Sequence, residues 1–456
     1  MTPGFSAVFF GDRPPPRGRV VTVVSLALAG SAAVLWAMPD PVTGRAGALA
    51  VLCLALWLGE IVRPWVPTVL LLVLTPLGLG GFKAGFGWVP VMKWLLEPVL
   101  ALFLGGFALG LAATRFQLDA AVARLALHGS RGSQTGLLVL MTTATAGLSM
   151  WMSNVAAAAM MFGALRPLLA DVGAGAALRR TLLLGVAMGA NFGGMATPIG
   201  TGPNGLALAA LEQSHPVSFF HWMTFSLPLA VLMTALAVGL LAWSGKLRGP
   251  VPFEIPAAAA RNGRGLALLA IFAVTIALWL TETFHGLPAW QIALGAFGVL
   301  FAAGFLRLQD LPKLDWSTLL LVAGGICLGR LLEQSGFVRL VADLVPWAQF
   351  PGPARMAILC SATALLSALM SNTAATAMLI PLAMSFDPSP ATPVLVALSA
   401  SMGVPFVVST PANAMAFGEG GLRTKDLLLP GLLLMAVGVA LVAFTGPTIL
   451  DWLGVP

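Results

Sequence analysis

Charged residues are scarce in this sequence: they make up 9% of 456 residues, against 58% apolar, and mean hydropathy is +0.94. That balance leaves no room for a soluble domain with a solvated surface. Two long windows, bounded by Arg131 and Arg166 and by Arg355 and Asp387, hold no charge at all. Cysteine is nearly absent too. Cys53, Cys327 and Cys360 lie far apart in apolar segments, which excludes a disulfide framework and offers no metal-ligand spacing. The start of the chain has no small-residue cleavage site behind a short apolar core, so its first apolar segment reads as a retained span. No His, Lys, Asp or Glu accompanies the serines inside the two windows, so they have no base to activate them and intramembrane enzyme chemistry is excluded. The net charge of +7 is scattered between apolar segments instead of forming a patch, which argues against a nucleic-acid partner.

What is present is a series of apolar segments of membrane-spanning length. About eleven are expected, near residues 20–38, 46–62, 64–81, 97–114, 181–211 (interrupted), 222–244, 265–283, 288–306, 316–333, 392–418 (interrupted) and 427–449. The two charge-free windows are additional. With the N-terminus inside, eighteen basic residues fall on the inner side and six outside, the bias of the positive-inside rule, which puts the C-terminus outside. The expected setting is a bacterial cytoplasmic (inner) membrane. Residues 1–18, with Arg13-Pro14-Pro15-Pro16-Arg17, read as a cytoplasmic tail, 19–95 as scaffold helices, and the Pro/Ala-rich stretch 245–264 as a cytoplasmic linker between two halves, 96–244 and 265–456.

Those halves repeat. Gly105-Gly106-Phe107-Ala108-Leu109-Gly110 returns as Gly324-Gly325-Ile326-Cys327-Leu328-Gly329, and each motif is followed by an amphipathic stretch, Leu118 to Leu127 and Phe337 to Leu344. Ser153-Asn154 returns as Ser371-Asn372, each pair near the centre of its charge-free window. Ile199-Gly200-Thr201-Gly202-Pro203-Asn204 returns as Val408-Ser409-Thr410-Pro411-Ala412-Asn413. The span count puts the second unit in opposite orientation, an inverted repeat such as many secondary transporters contain. The fold expected is therefore an all-α polytopic membrane protein with about eleven transmembrane helices and two re-entrant helical hairpins, 132–165 and 356–386.

Each Ser-Asn pair sits where a hairpin tip would leave backbone N–H groups unpaired, with a positive dipole end facing an anion near the midplane. Thr197-Pro198, Gly200, Gly202 and Pro203 in one half, and Ser409, Thr410 and Pro411 in the other, break the following helix and expose carbonyls that can ligate a small hard cation. Ser149 and Ser367 each precede the tip serine by one helical turn and aim their hydroxyls at the same spot. The alternative is that these small polar residues only glue helices together. Two copies, each followed by a broken helix, favour binding.

On these motifs the chain resembles the divalent anion:sodium symporter family of dicarboxylate, citrate and sulfate carriers, from about Leu96 to the last span. The resemblance implies a homodimer with an elevator-type transport domain. It implies sodium sites at Ser149, Ser153, Asn154 and Gly200 and at Ser367, Ser371, Asn372 and Ser409. The substrate carboxylates would meet Ser153, Asn154 and Thr201 from one half and Ser371, Asn372, Thr373 and Thr410 from the other, with Pro411 close by. Two departures bear on specificity. Val155 replaces a threonine at the first tip, and Gly202 stands where proline is common; loss of a hydroxyl reshapes that half of the pocket.

The function expected is sodium-coupled uptake of a divalent anion, a C4-dicarboxylate first, with no organic cofactor. Because neither tip carries a cationic side chain, bound Na⁺ is the natural counter-charge, and each net positive charge entering gains about 2.3 kcal/mol per 100 mV. Sulfate or another small anion, or cation-independent exchange on the same fold, are the alternatives. A channel filter is built by subunits around a pore, whereas here one chain supplies both tips.

Overall fold

The computed structural model describes residues 15–38, 40–169, 175–251, 263–344 and 346–452. Most of the proposed tail and residues 252–262 of the proposed linker lie outside the described residues. The chain forms helices α1 (Arg17–Ala37), α2 (Pro41–Gly59), α3 (Trp65–Leu79), α4 (Pro98–Arg115), α5 (Leu118–Gly129), α6 (Gln134–Ser149), α7 (Asn154–Leu169), α8 (Ala176–Gly194), α9 (Gly202–Leu211) and α10 (Phe219–Gly245). These are followed by α11 (Gly263–Leu280), α12 (Ala289–Ala302), α13 (Trp316–Ser335), α14 (Phe337–Asp343), α15 (Gly352–Leu369), α16 (Asn372–Phe386), α17 (Ala391–Ala400), α18 (Pro411–Gly418) and α19 (Thr424–Trp452). Among the described residues there is no β-strand, and Ser133 and Pro250 form an isolated bridge.

Among the described residues, eight helices (α1, α2, α4, α10, α11, α13, α15 and α19) are long and apolar enough to cross a membrane, and α3, α12, α16 and α17 are shorter apolar helices. In the most apolar stretch of α1, 6% of residues are buried, while Trp36 and Leu26 stand exposed. Such a face is stable against lipid and not against water, so the chain is an integral membrane protein. Helix starts follow capping chemistry where the chain turns: Asp40 accepts from Thr43 N, Ser133 from Gly136 N, Ser218 from His221 N and Asp315 from Thr318 N.

Helix directions follow from residue pairs. Gly185 lies against Leu138 and Thr142, Gly189 against Thr142 and Thr145, and Gly193 against Ala146, so α6 and α8 run side by side in the same sense. α7 runs back. Asn154 at its start touches Gly194 at the end of α8, while Arg166 near its end bonds Glu419, whose carbonyl accepts Arg179 Nη2 at 2.6 Å near the start of α8. Helices α6 and α7 therefore form a hairpin with its tip at Met150–Ser153 and both feet at one end of the bundle. The helix continues past Arg166 to Leu169, further than the charge boundary indicated.

Helices α15 and α16 make a second hairpin. Ser367 and Asn372 meet across its tip, and Trp347 and Phe386 stack at its feet with ring centroids 4.6 Å apart. α19 shows how the two hairpins are disposed. Asp426 at its start pairs with Arg180 at 3.5 Å, by the first hairpin's feet; Gly431 and Gly438 pack on Pro405 and Met402, and Gly446 packs on Leu395 of α17. From Asp426 to Gly446 the helix rises about 30 Å, so the hairpins enter from opposite ends of the bundle. The glycine-motif helices are likewise antiparallel: Glu97 before α4 pairs with Arg330 near the end of α13, and Arg115 at the end of α4 pairs with Asp310 before α13 begins.

The repeat extends to backbone conformation. Gln117, between α4 and α5, and Gly336, between α13 and α14, are both left-handed, with φ of 56° and 81°. Glycine adopts that region freely, whereas glutamine does so at a cost. At the first hairpin's feet, Gln134 N donates to Gly249 O and Val251 N donates to Gly132 O, so the chain leaving α10 folds back onto the hairpin before it enters the undescribed stretch.

Candidate functional site

At the first tip, Ser149 Oγ donates to Ala190 O at 2.7 Å. One terminal atom of the Asn154 carboxamide lies 2.8 Å from Ser149 Oγ and 3.1 Å from both Ala190 O and Gly200 O. All three neighbours can accept, so that atom is the amide nitrogen, with its oxygen turned away. The fit depends on absent side chains: a Cβ on Gly194 would collide with the Asn154 amide, and one on Gly200 would strike the Gly194 carbonyl. Thr197 Oγ1 donates to Met150 O and so fastens the broken helix to the tip. Ser153 Oγ accepts from Ala156 N at 3.4 Å, a long cap bond. Val155 is 38% exposed at the tip, and Thr201 is half-buried at the start of α9 with no side-chain cap bond.

The second tip keeps the plan and changes the partners. Ser367 Oγ lies 2.7 Å from Asn372 Oδ1 and 2.6 Å from Ala400 O. The hydroxyl has one proton; with it on Ala400 O, Ser367 Oγ accepts from Asn372 once that carboxamide presents its amide nitrogen. Ser371 Oγ caps α16 by accepting from Ala374 N at 3.2 Å. Ser409 Oγ donates to Ala368 O at 2.9 Å and accepts from Phe406 N, so its hydroxyl holds the tip as Thr197 does in the first half. Thr410 Oγ1 caps α18 by accepting from Asn413 N at 3.2 Å, and Pro411 occupies the first helical position, where its missing donor costs nothing.

The tips meet the opposite half. A Cβ on Gly202, at the start of α9, would collide with Thr373 Oγ1, so the residue that departs from the resembling family's proline seats the second tip. Thr373, Thr410 and Ser409 are buried, as are Ser149 and Ser367. The structure thus brings together Ser149, Asn154 and Gly200 in one cluster and Ser367 and Asn372 in another, with Thr373 against Gly202. Trp151 at the first tip also stacks on Phe219 and Trp279, with centroids 6.2 Å and 6.3 Å away, which ties the tip to α10 and α11.

Three asparagines escaped the sequence reading as site residues. Asn204 Nδ2 donates to Gly194 O at 3.1 Å and Thr197 O at 2.7 Å; Asn413 Nδ2 donates to Val404 O and Phe406 O, both at 3.0 Å. These two matched residues bridge the carbonyls that each broken helix frees. Asn191 Nδ2 donates to Asn413 Oδ1 at 3.1 Å and joins the halves. The signal available for Asn191 was an amide in an otherwise apolar, glycine-rich helix interior. Both clusters consist of hydroxyl, carboxamide and carbonyl groups, a donor set suited to a small hard cation and not to a thiophilic metal.

Opposed hairpins converging on two broken helices, in a chain of apolar helices, define a polytopic membrane transporter. The chain belongs to the citrate transporter family (CitMHS), which matches residues 53–401. The sodium-dependent dicarboxylate transporter SdcS of Staphylococcus saprophyticus is 24% identical over 77% of this chain and 77% of its own length. The inorganic phosphate transporter PHO87 of Saccharomyces cerevisiae is 26% identical over 90% of this chain and 46% of its own length. Among solved structures, the YdaH transporter of Alcanivorax borkumensis covers 94% of this chain and 98% of its own, with a TM-score of 0.57 at 14% identity, a likeness of fold.

Proposed function

We propose that the protein couples Na⁺ entry to uptake of a divalent anion, a C4-dicarboxylate first, by alternating exposure of the paired tips. The observation that carries this reading is the matched polar cluster at each tip: Ser149, Asn154 and Ala190 O in the first, and in the second Ser367 Oγ, which lies 2.7 Å from Asn372 Oδ1 and 2.6 Å from Ala400 O. A Na⁺ there accepts all three as ligands and supplies the counter-charge that a dianion needs at membrane depth. At the first tip the same ion requires Asn154 to turn its oxygen inward, in place of the amide nitrogen that now satisfies Ala190 and Gly200. Ser153, Asn154 and Thr201, with Ser371, Asn372, Thr373 and Thr410, hold the anion between the tips through hydroxyls and helix N-termini. The dicarboxylate preference draws on the SdcS relative.

A second reading, a compact oxyanion such as sulfate or phosphate, draws on the PHO87 relative and on Val155, which removes one hydroxyl from the first tip. We further propose a homodimer moving elevator-fashion in a bacterial inner membrane, N-terminus inside and C-terminus outside. The clustering of Arg166, Arg179, Arg180 and Lys246 at the first hairpin's feet supports that orientation. Proteoliposomes given radiolabelled succinate, sulfate or phosphate, with Na⁺ or K⁺ outside, test the function. Saturable uptake of succinate with Na⁺ alone is expected; equal uptake in K⁺ overturns the coupling, and preferential sulfate or phosphate uptake selects the second reading.

A further inference from the structure

Resting on that reading of the two tips, we propose that the Asn191–Asn413 pair carries the coupling between a cation held by the first half and an anion held at the second broken helix. Both side chains are 1% exposed, and they meet at 3.1 Å. Among the described residues, the other side-chain to side-chain bonds joining residues 96–244 to residues 265–452 are ion pairs nearer the ends of the bundle. Asn191 shares a peptide unit with the Ala190 carbonyl, the group that takes both the Ser149 hydroxyl and the Asn154 amide. On the far side, Asn413 holds the Val404 and Phe406 carbonyls and donates its own N–H to Thr410 Oγ1. A Na⁺ that turns Asn154 therefore pulls on the Ala190–Asn191 peptide, and one hydrogen bond passes that displacement to the turn that caps α18.

Asn191 Oδ1 is buried with no partner among the described residues. An orphaned amide oxygen costs stability that a leucine would spare, and such expense is characteristic of functional positions. Linkage then requires reciprocity: Na⁺ tightens the anion as much as the anion tightens Na⁺. Asn191 and Asn413 are positioning residues in this scheme, acting through Asn154 and Thr410.

The test is equilibrium binding of radiolabelled succinate and sulfate to purified protein in Na⁺ and in K⁺, for wild type, Asn191→Ala, Asn413→Ala, the double variant and Asn191→Gln. Wild type is expected to bind about tenfold tighter in Na⁺. Either alanine variant, and the double variant no further than the singles, should lower that ratio to below about twofold, while Na⁺ still raises their melting temperatures. Asn191→Gln, which keeps an amide donor at the cost of one added methylene, should retain more of the ratio than Asn191→Ala. A wild-type ratio in a folded Asn191→Ala protein, or loss of the Na⁺ melting response along with the ratio, overturns the assignment. A wild type indifferent to Na⁺ overturns the functional reading, and the coupling with it.

Discussion

The two halves share a topology but not a way of satisfying it. In the first, Asn154 closes on the broken helix with its amide and meets the carbonyls of Ala190 and Gly200; in the second, Asn372 presents an oxygen to a hydroxyl already committed to Ala400. Either cluster can be satisfied without an ion by a carboxamide rotation, but the Asn154 amide then meets two carbonyls besides the serine, and the Asn372 amide only the Ser367 hydroxyl. The breaks differ accordingly. The first fastens its tip with Thr197 and crowds Gly194 and Gly200 under the asparagine, while the second uses a 3-10 turn, Val407–Ser409, whose serine hydroxyl reaches the tip. Equal architecture with unequal internal bonding makes the first tip's asparagine the more firmly held in the absence of an ion.

The largest effect tests whether both tips are needed at all. Asn154→Ala and Asn372→Ala should each lower Na⁺-driven uptake by about a hundredfold, the scale on which loss of a metal-site contact acts. The apo proteins should respond differently. Asn154→Ala removes the amide that Gly200 O accepts and that Ala190 O shares with the Ser149 hydroxyl, and should melt earlier than wild type, whereas Asn372→Ala loses one contact, to Ser367 Oγ, and should melt closer to wild type. Melting curves in Na⁺-free buffer beside uptake assays measure both, and identical melting losses would erase the asymmetry argued above.

Next comes the contact that joins the halves. Gly202→Ala places a methyl group on Thr373 Oγ1, an overpacking expected to cost about 2 kcal/mol. Thr373→Ala in the same chain should return part of the melting temperature without restoring transport, because Thr373 lies at the proposed anion site. A Gly202→Ala protein with normal stability would mean that the tip has room to withdraw. A smaller change makes the tips alike: Val155→Thr should lower the KM for succinate about fivefold, the value of one hydrogen bond near 1 kcal/mol, and leave kcat nearly unchanged. An unchanged or higher KM would place Val155 outside the anion's reach.

Much of this plan was legible because membranes make polarity conspicuous. The apolar segments and the interruptions near 195–201 and 401–410 stand out by composition, and Ser149, Asn154, Ser367 and Asn372 could be paired across the tips because helical spacing and repetition agree. The meaning of Gly202 could not be read, since a missing side chain says nothing of what fills its place until Thr373 is seen there. Asn191 was equally silent, for its partner lies 222 residues away and its equivalent region in the second half, Ser399-Ala400-Ser401-Met402, has no amide to advertise the match. Gln117 gave no turn signal either; it is exposed, and its backbone turn, closed by Gln117 N to Thr114 O and Ala121 N to Gln117 O, adopts a conformation its propensity opposes.

The smallest expected effect separates the hairpins at their feet. Arg166 ties the foot of the first to the turn after α18 through two-pronged hydrogen bonds to Glu419, and those bonds hold the Glu419 carboxyl below the usual carboxylate range, with burial opposing. A carboxylate whose folded pKa is depressed contributes stability fully above its unfolded value, about 4.3, and loses it as pH falls through the lower folded value. The Arg166 side chain is 67% exposed, so solvent screens the pair and its contribution is modest. Trp347 on Phe386 closes the second hairpin with no group that titrates in this range. The melting temperature of Glu419→Gln should therefore lie slightly below wild type at pH 7 and converge with it as the pH is taken toward 3, while the deficit of Trp347→Ala stays constant over the same interval. A Glu419→Gln deficit that also stays constant would mean that packing of the side chain, and not its charge, joins the first hairpin's feet to the turn after α18.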